Sequence, residues 1–226
     1  MLHNANLYLP LYMMISLISL INKTLMPELK AQSSDFLADR ASREIKTLAH
    51  GSILVRLAHK QNKIKAIEKQ LAKKDISQKA RAEWMALKVQ TIKERDLKEK
   101  NLKLAFSKYY SFSKVLFYQD DEHHLLSDPN AMFLTDVNGV IQKTPQDSFL
   151  ILAIGKVTDN GTEAFIVLDS SGSPLTKPFP YLFRSAPTAA LFYDIIYGKS
   201  SAEKKTEIVI KKIQKRFQKY YQSQNN

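Results

Sequence analysis

The residues best equipped for chemistry stand together in the chain: Asp120, Asp121, Glu122, His123 and His124. Carboxylates and imidazoles are a competent ligand set for zinc or manganese, and the same pairing serves general acid–base work. The cluster follows the apolar run Lys114 to Tyr118, which reads as a strand. In an α/β sheet the carboxyl end of a strand is where ligands bind. Successive residues on a helix point about 100° apart, so at most two or three of the five converge. The competing reading is an acidic helix N-terminus, where Asp and Glu favour the macrodipole. No catalytic residue and no cofactor is assigned, because HExxH, GxSxG, the P-loop and GxGxxG are all missing from the sequence. The absence of Cys removes a disulfide scaffold, a thiol nucleophile, cysteine-ligated zinc and iron–sulfur sites.

A second candidate surface is electrostatic. The chain has 226 residues and a formal net charge of +12, and the charge is unevenly spread. Residues 36–115 hold 20 Lys+Arg against 8 Asp+Glu, and residues 199–226 hold 8 against 2. Between them, residues 116–198 hold 4 against 10. Two basic helical regions therefore flank an acidic, strand-rich middle. Charge alone speaks to solubility and nonspecific association, so this balance is no strong nucleic-acid signal. Tyr109-Tyr110 and Tyr220-Tyr221 beside lysines are able to stack bases, but core-edge tyrosines are the simpler reading.

Export is the next expectation. The run Leu7 to Ile21 is uncharged and 15 residues long, and Pro10 interrupts it. That suits a signal peptide better than a spanning helix of about 20 residues. Ala31 and Gln32 look like a cleavage zone, although the n-region MLHNAN has no Lys or Arg. An uncleaved anchor and a core helix stay open as alternatives. Residues 1–31 are thus set apart as a signal peptide or apolar segment, with 32–226 as a single domain. The membrane enters only through that N-terminal segment.

The elements that must position these residues follow from periodicity. Leu37, Ala38, Ala41, Ile45, Leu48 and Ala49 share one helical face, capped by Ser34 and stopped by Gly51. Ser52 to Ala58 reads as a short strand, with continued helix as the alternative for so short an apolar run. Residues 60–110 lack Gly and Pro and read as a helical hairpin with coiled-coil character, bent near Asp75. Its seam is Ile64, Ile67 and Leu71, then Met85, Val89 and Ile92. Beyond it, Asn138-Gly139 signals a type I′ hairpin between Met132–Thr135 and Val140-Ile141. Asp159-Asn160-Gly161 signals another between Ser148–Val157 and Glu163–Asp169; Asn160-Gly161-Thr162 also matches a glycosylation sequon. The last two strands are apolar on both faces and should be central. A helix over 199–222 has an apolar stripe through Val209, Ile213 and Phe217. Opposite it lies a basic face of Lys204, Lys211, Lys212, Lys215 and Lys219, expected to be solvated.

Three stretches, GSILVRLAHKQNKIKAIEK, YYSFSKVLFYQDD and IVLDSSGSPLTKPFPYLFR, resemble a group of uncharacterised exported proteins of Bacteroidota-type bacteria. The resemblance covers about Ser33 to Arg184. It implies export and carries no catalytic residue. The expected fold is α/β, or α+β, with a central mixed sheet of about four to five strands flanked by helices. Its element order is remotely similar to thioredoxin-like folds with a long insertion, an analogy of fold alone. The expected function is a non-catalytic binding or structural module outside the cytoplasm, periplasmic or envelope-associated. Its partner would be an envelope protein or an anionic polymer. The alternatives are a metal-binding protein or hydrolase-like enzyme at Asp120–His124, and a nucleic-acid binder using the basic helices.

Overall fold

The computed structural model describes residues 34–145, 148–156, 163–184 and 202–225. The expectations for the apolar run Leu7–Ile21, the Ala31-Gln32 junction and the Asp159-Asn160-Gly161 turn with its sequon lie outside these residues. Helix α1 covers 34–50 and strand β1 follows at Ser52–Leu57. Helices α2 (Gln61–Leu71) and α3 (Gln78–Tyr109) lead into β2 (Lys114–Gln119). A 3-10 helix (Asp120–Ser127) comes next, then the short strands β3 (Met132–Thr135) and β4 (Ile141–Lys143). Strands β5 (Phe149–Lys156), β6 (Glu163–Leu168) and β7 (Leu182–Arg184) precede the terminal helix α4 (Ala202–Ser223). No helix among the described residues is long and apolar enough to cross a membrane.

The protein is a mixed α and β structure with one seven-stranded sheet, ordered β4-β3-β2-β1-β5-β6-β7. That exceeds the four to five strands expected. The surplus lies at the margins: β4 and β7 have three residues each, too few to show alternation. Strand β1 sits at the centre, parallel to both β2 and β5, and the remaining pairs are antiparallel. Its central place follows from composition, since Ile53, Leu54 and Val55 are buried on both faces.

The two faces have separate cores. Ile53, Val55, Phe117, Leu150, Leu152 and Val167 point to the face covered by helices, which contribute Ile45 and Leu48 from α1, Phe106 from α3, and Ile213 and Phe217 from α4. Leu54, Leu116, Tyr118, Leu134 and Ile151 form the other core, where the 3-10 helix adds Leu126. At the α1–β1 junction only glycine fits. A Cβ on Gly51 would lie 2.5 Å from the Ser148 carbonyl oxygen and 2.8 Å from that of Thr47.

Helices α2 and α3 are antiparallel and unequal, 11 against 32 residues, with ion pairs Lys60–Glu94 and Lys88–Glu68 between them. Ser77 caps α3 by accepting from Ala80 N at 3.2 Å. No coiled-coil seam forms: Ile64 and Ile67 are buried, but Met85 and Val89 are 53% and 63% exposed. The short partner helix offers only one three-turn face, so the expected seam continues into solvent. The Asn138-Gly139 turn is also not type I′, which needs positive φ at both residues. Only Gly139 has it, at 82°. Asp136 organises this loop instead, its Oδ1 accepting from Asn138 N at 2.8 Å and Val140 N at 2.9 Å.

Candidate functional site

The five clustered residues form the start of the 3-10 helix and disperse. In a 3-10 helix successive side chains are separated by about 120°. Glu122 turns back and accepts from Gln119 N at 2.8 Å, completing a capping box with the Gln119 side chain. His123 stacks on Tyr118, its Nδ1 3.1 Å from the phenol oxygen. Burial, with the Arg56 guanidinium and His124 close by, holds the His123 imidazole below its ordinary pKa. Burial pushes the Tyr118 phenol up to about 12. His124 Nδ1 meets the Asp121 carbonyl oxygen at 3.0 Å. Among the described residues no group of three or more His, Asp or Glu side chains is placed to hold a metal ion.

Asp120 and Asp121 have a different task. Asp120 Oδ1 accepts from His59 N at 3.1 Å, and the Asp121 carboxylate oxygens lie 2.9 and 3.0 Å from His59 Nδ1. The hydrogen bond from His59 holds the Asp121 carboxyl below the usual range. A carboxylate only accepts, so His59 Nδ1 carries the proton. The acidic pair thereby pins the turn between β1 and α2. The next residue, Lys60, has φ 55°, the left-handed region, and is the one non-glycine residue of positive φ among those described. Such a conformation costs about 1–2 kcal/mol and persists only where its surroundings fix it.

This turn forms one wall of a cleft of about 420 Å³. The cleft lies at the carboxyl edge of β1, on the helix-covered side of the sheet. Strand β1 and its turn supply Arg56, Leu57 and Lys60; α3 supplies Arg95, Lys98, Glu99 and Leu102. Ile154 of β5, Glu163 and Phe165 of β6, and Phe183 of β7 reach it from the sheet. Helix α4 adds Lys205, Thr206 and Val209. Four cationic side chains, Lys60, Arg95, Lys98 and Lys205, thus face two carboxylates, while the Arg56 guanidinium lies by Tyr118 and His123 toward the other face of the sheet; Glu99 is engaged by Lys103 at 2.7 Å. Lys60 and Arg95 have acid partners in Glu94 and Asp96, at 3.3 and 2.8 Å. Exposed pairs of this kind are worth little and exchange readily.

The basic face of α4 is not uniformly solvated. Lys215 and Lys219 are exposed, and Lys204 lies 3.7 Å from Glu207. Lys211 bonds Glu207 at 2.6 Å and stands 4.1 Å over the Tyr109 ring. Hydrogen bonds from Lys211 and Tyr109 hold the Glu207 carboxyl at about 2. Half-buried Lys212 donates to the Arg184 carbonyl oxygen at 3.2 Å, and Arg216 donates to that of Leu182 at 3.4 Å. Burial, with Arg216 nearby, lowers the Lys212 pKa. These contacts correct the solvated arc: a helix resting on a sheet edge turns its flanking cations back to carbonyls within reach.

The cleft residues Lys60, Arg95 and Lys98 were not singled out by sequence reasoning, and Lys205 was read only as part of the solvated lysine arc. A signal was nonetheless present. Arg95, Lys98 and Leu102 are spaced i, i+3, i+7, as are Ala202, Lys205 and Val209. The α3 stripe changes from cation to apolar side chain along one helical face, and on α4 Lys205 is followed by Val209 one turn on. Comparison with known protein families, curated proteins and solved structures finds no match to the chain.

Proposed function

We propose that this protein is a non-catalytic binding module, working after export, whose cleft at the carboxyl edge of β1 takes an anionic ligand. The observation that carries the reading is the four-to-two excess of cationic over acidic side chains around one 420 Å³ cleft. Such a volume falls in the range of about 300–1,000 Å³ typical of ligand sites. Export rests on the apolar run Leu7–Ile21 and on the resemblance to exported proteins; a mature N-terminus near Gln32 or Ser33 by mass spectrometry supports it, and an intact Met1 in the cytoplasmic fraction defeats it. The thioredoxin-like element order enters as an analogy of fold only, since a chain without Cys has no paired-cysteine chemistry. Neither the metal-dependent enzyme at Asp120–His124 nor the nucleic-acid binder has a comparable observation in its favour.

The test is a panel of organic anions and matching cations, read by thermal shift and calorimetry. Anions should stabilise the protein, less so at high salt. The double variant Arg95→Gln, Lys98→Gln should lose the effect while keeping its own melting temperature. Equal stabilisation by cations, or an undiminished response in the variant, overturns the assignment.

A further inference from the structure

We infer that the ligand is an amphipathic anion, a single carboxylate or phosphate head on an apolar chain, bound as a free monomer. This rests on the cleft being an anion site and adds the class of anion. Both helical stripes that line the cleft grade in the same sense. On α3, exposed Lys98 and half-buried Arg95 give way to buried Leu102; on α4, half-buried Lys205 gives way to buried Val209. The floor continues across the sheet through buried Leu57 and Phe183. Ile154, a large apolar side chain left 37% exposed, opens onto the same space.

A cation mouth over an apolar floor is poorly used by other ligands. A small hydrophilic anion would satisfy the charges and leave Ile154 uncovered. A neutral apolar molecule would fill the floor and desolvate the cations without a counter-charge, which is costly. The orientation also selects the source. With its head at the mouth, the chain points inward onto the sheet. A lipid held in a bilayer points its chains away from the protein that grips its head, so a monomer fits and a membrane surface does not.

Calorimetry on the exported form of the chain would use hexanoate, octanoate and decanoate below their aggregation concentrations, with decyl phosphate beside them. Each added methylene that finds the floor should tighten binding by up to about fourfold. Arg95→Gln with Lys98→Gln should weaken decanoate by roughly tenfold or more, as expected for lost charge-assisted bonds. Ile154→Ser should weaken decanoate and leave succinate unaffected. If succinate or inorganic phosphate binds as tightly as decanoate, the amphiphile is wrong and the anion site stands. If decanol binds as tightly, the head-group recognition is wrong. Tighter association with phosphatidylglycerol vesicles than with monomers overturns the free-monomer reading. No binding by any member defeats both this inference and the anion site.

Discussion

Replacing Phe217 by alanine should produce the largest loss of stability available on α4. The side chain is fully buried, and its ring meets three others, with centroids 5.5 Å from Phe183, 5.8 Å from Phe112 and 5.9 Å from Phe179. It therefore joins the terminal helix to β7, to the segment after α3 and to the loop before β7. Truncation of a buried Phe costs about 3–5 kcal/mol, from lost transfer and the cavity left behind. The upper half of that range applies, because the neighbours cannot collapse inward: Phe112 is held by Tyr221 at 5.8 Å and Phe179 by Tyr220 at 6.1 Å. A chain of this size loses about 2–4 °C of melting temperature per kcal/mol. The expected fall is thus roughly 8–20 °C by circular dichroism, and about 4–5 kcal/mol is a large share of a stability of about 5–15 kcal/mol. Lys215→Gln with Lys219→Gln, both exposed, is the matched control and should stay near wild type. A Phe217→Ala midpoint equal to that of the control would refute the packing of α4 on the sheet.

Gly51→Ala should destabilise by about 1–3 kcal/mol or more, since its Cβ would meet two backbone carbonyls that cannot swing aside; a denaturant midpoint equal to wild type would count against the junction geometry. Glu207→Gln tests the α4 charge network through pH. Because the folded carboxyl titrates at about 2, below its ordinary 4.5, its contribution is present above about pH 4.5 and disappears as pH falls toward 2. The wild type should therefore lose melting temperature more steeply than the variant across that window, and parallel curves would show that Lys211 and Tyr109 do not hold the carboxylate.

The legible parts of this sequence were those governed by local pattern. The run FLILAIGK announced a buried central strand, SILVRL a short one, and the stripe through Val209, Ile213 and Phe217 announced the face that α4 buries. The three-residue β7 gave no such signal, so the width of the sheet was underestimated. Met85 and Val89 kept helical spacing yet lie exposed, because the spacing says which face is apolar and not whether a partner reaches it. Asp120 and Asp121 drew attention as neighbours, but their partner His59 lies 61 and 62 residues away. The cleft was still harder to see, for its cations come from the β1–α2 turn, α3 and α4, and only the parallel crossover brings them together.

The bonds from Lys212 and Arg216 to β7 have a consequence for how copies of the chain meet. An edge strand offers every second residue outward; Leu182 and Arg184 have that parity, while Tyr181 accepts inward from Val167 N at 2.8 Å. Two of the carbonyls that an incoming strand would need are already occupied by cations one helical turn apart. Strand addition there must first break the bonds from Lys212 and Arg216 to these two carbonyls. The opposite margin, β4, has no such cover among the described residues and exposes Ile141. A sheet plugged at one margin can join one other copy across the open margin, symmetrically, and then has no edge left to extend. The terminal helix thus occupies, at β7, two of the carbonyls through which the sheet would otherwise extend.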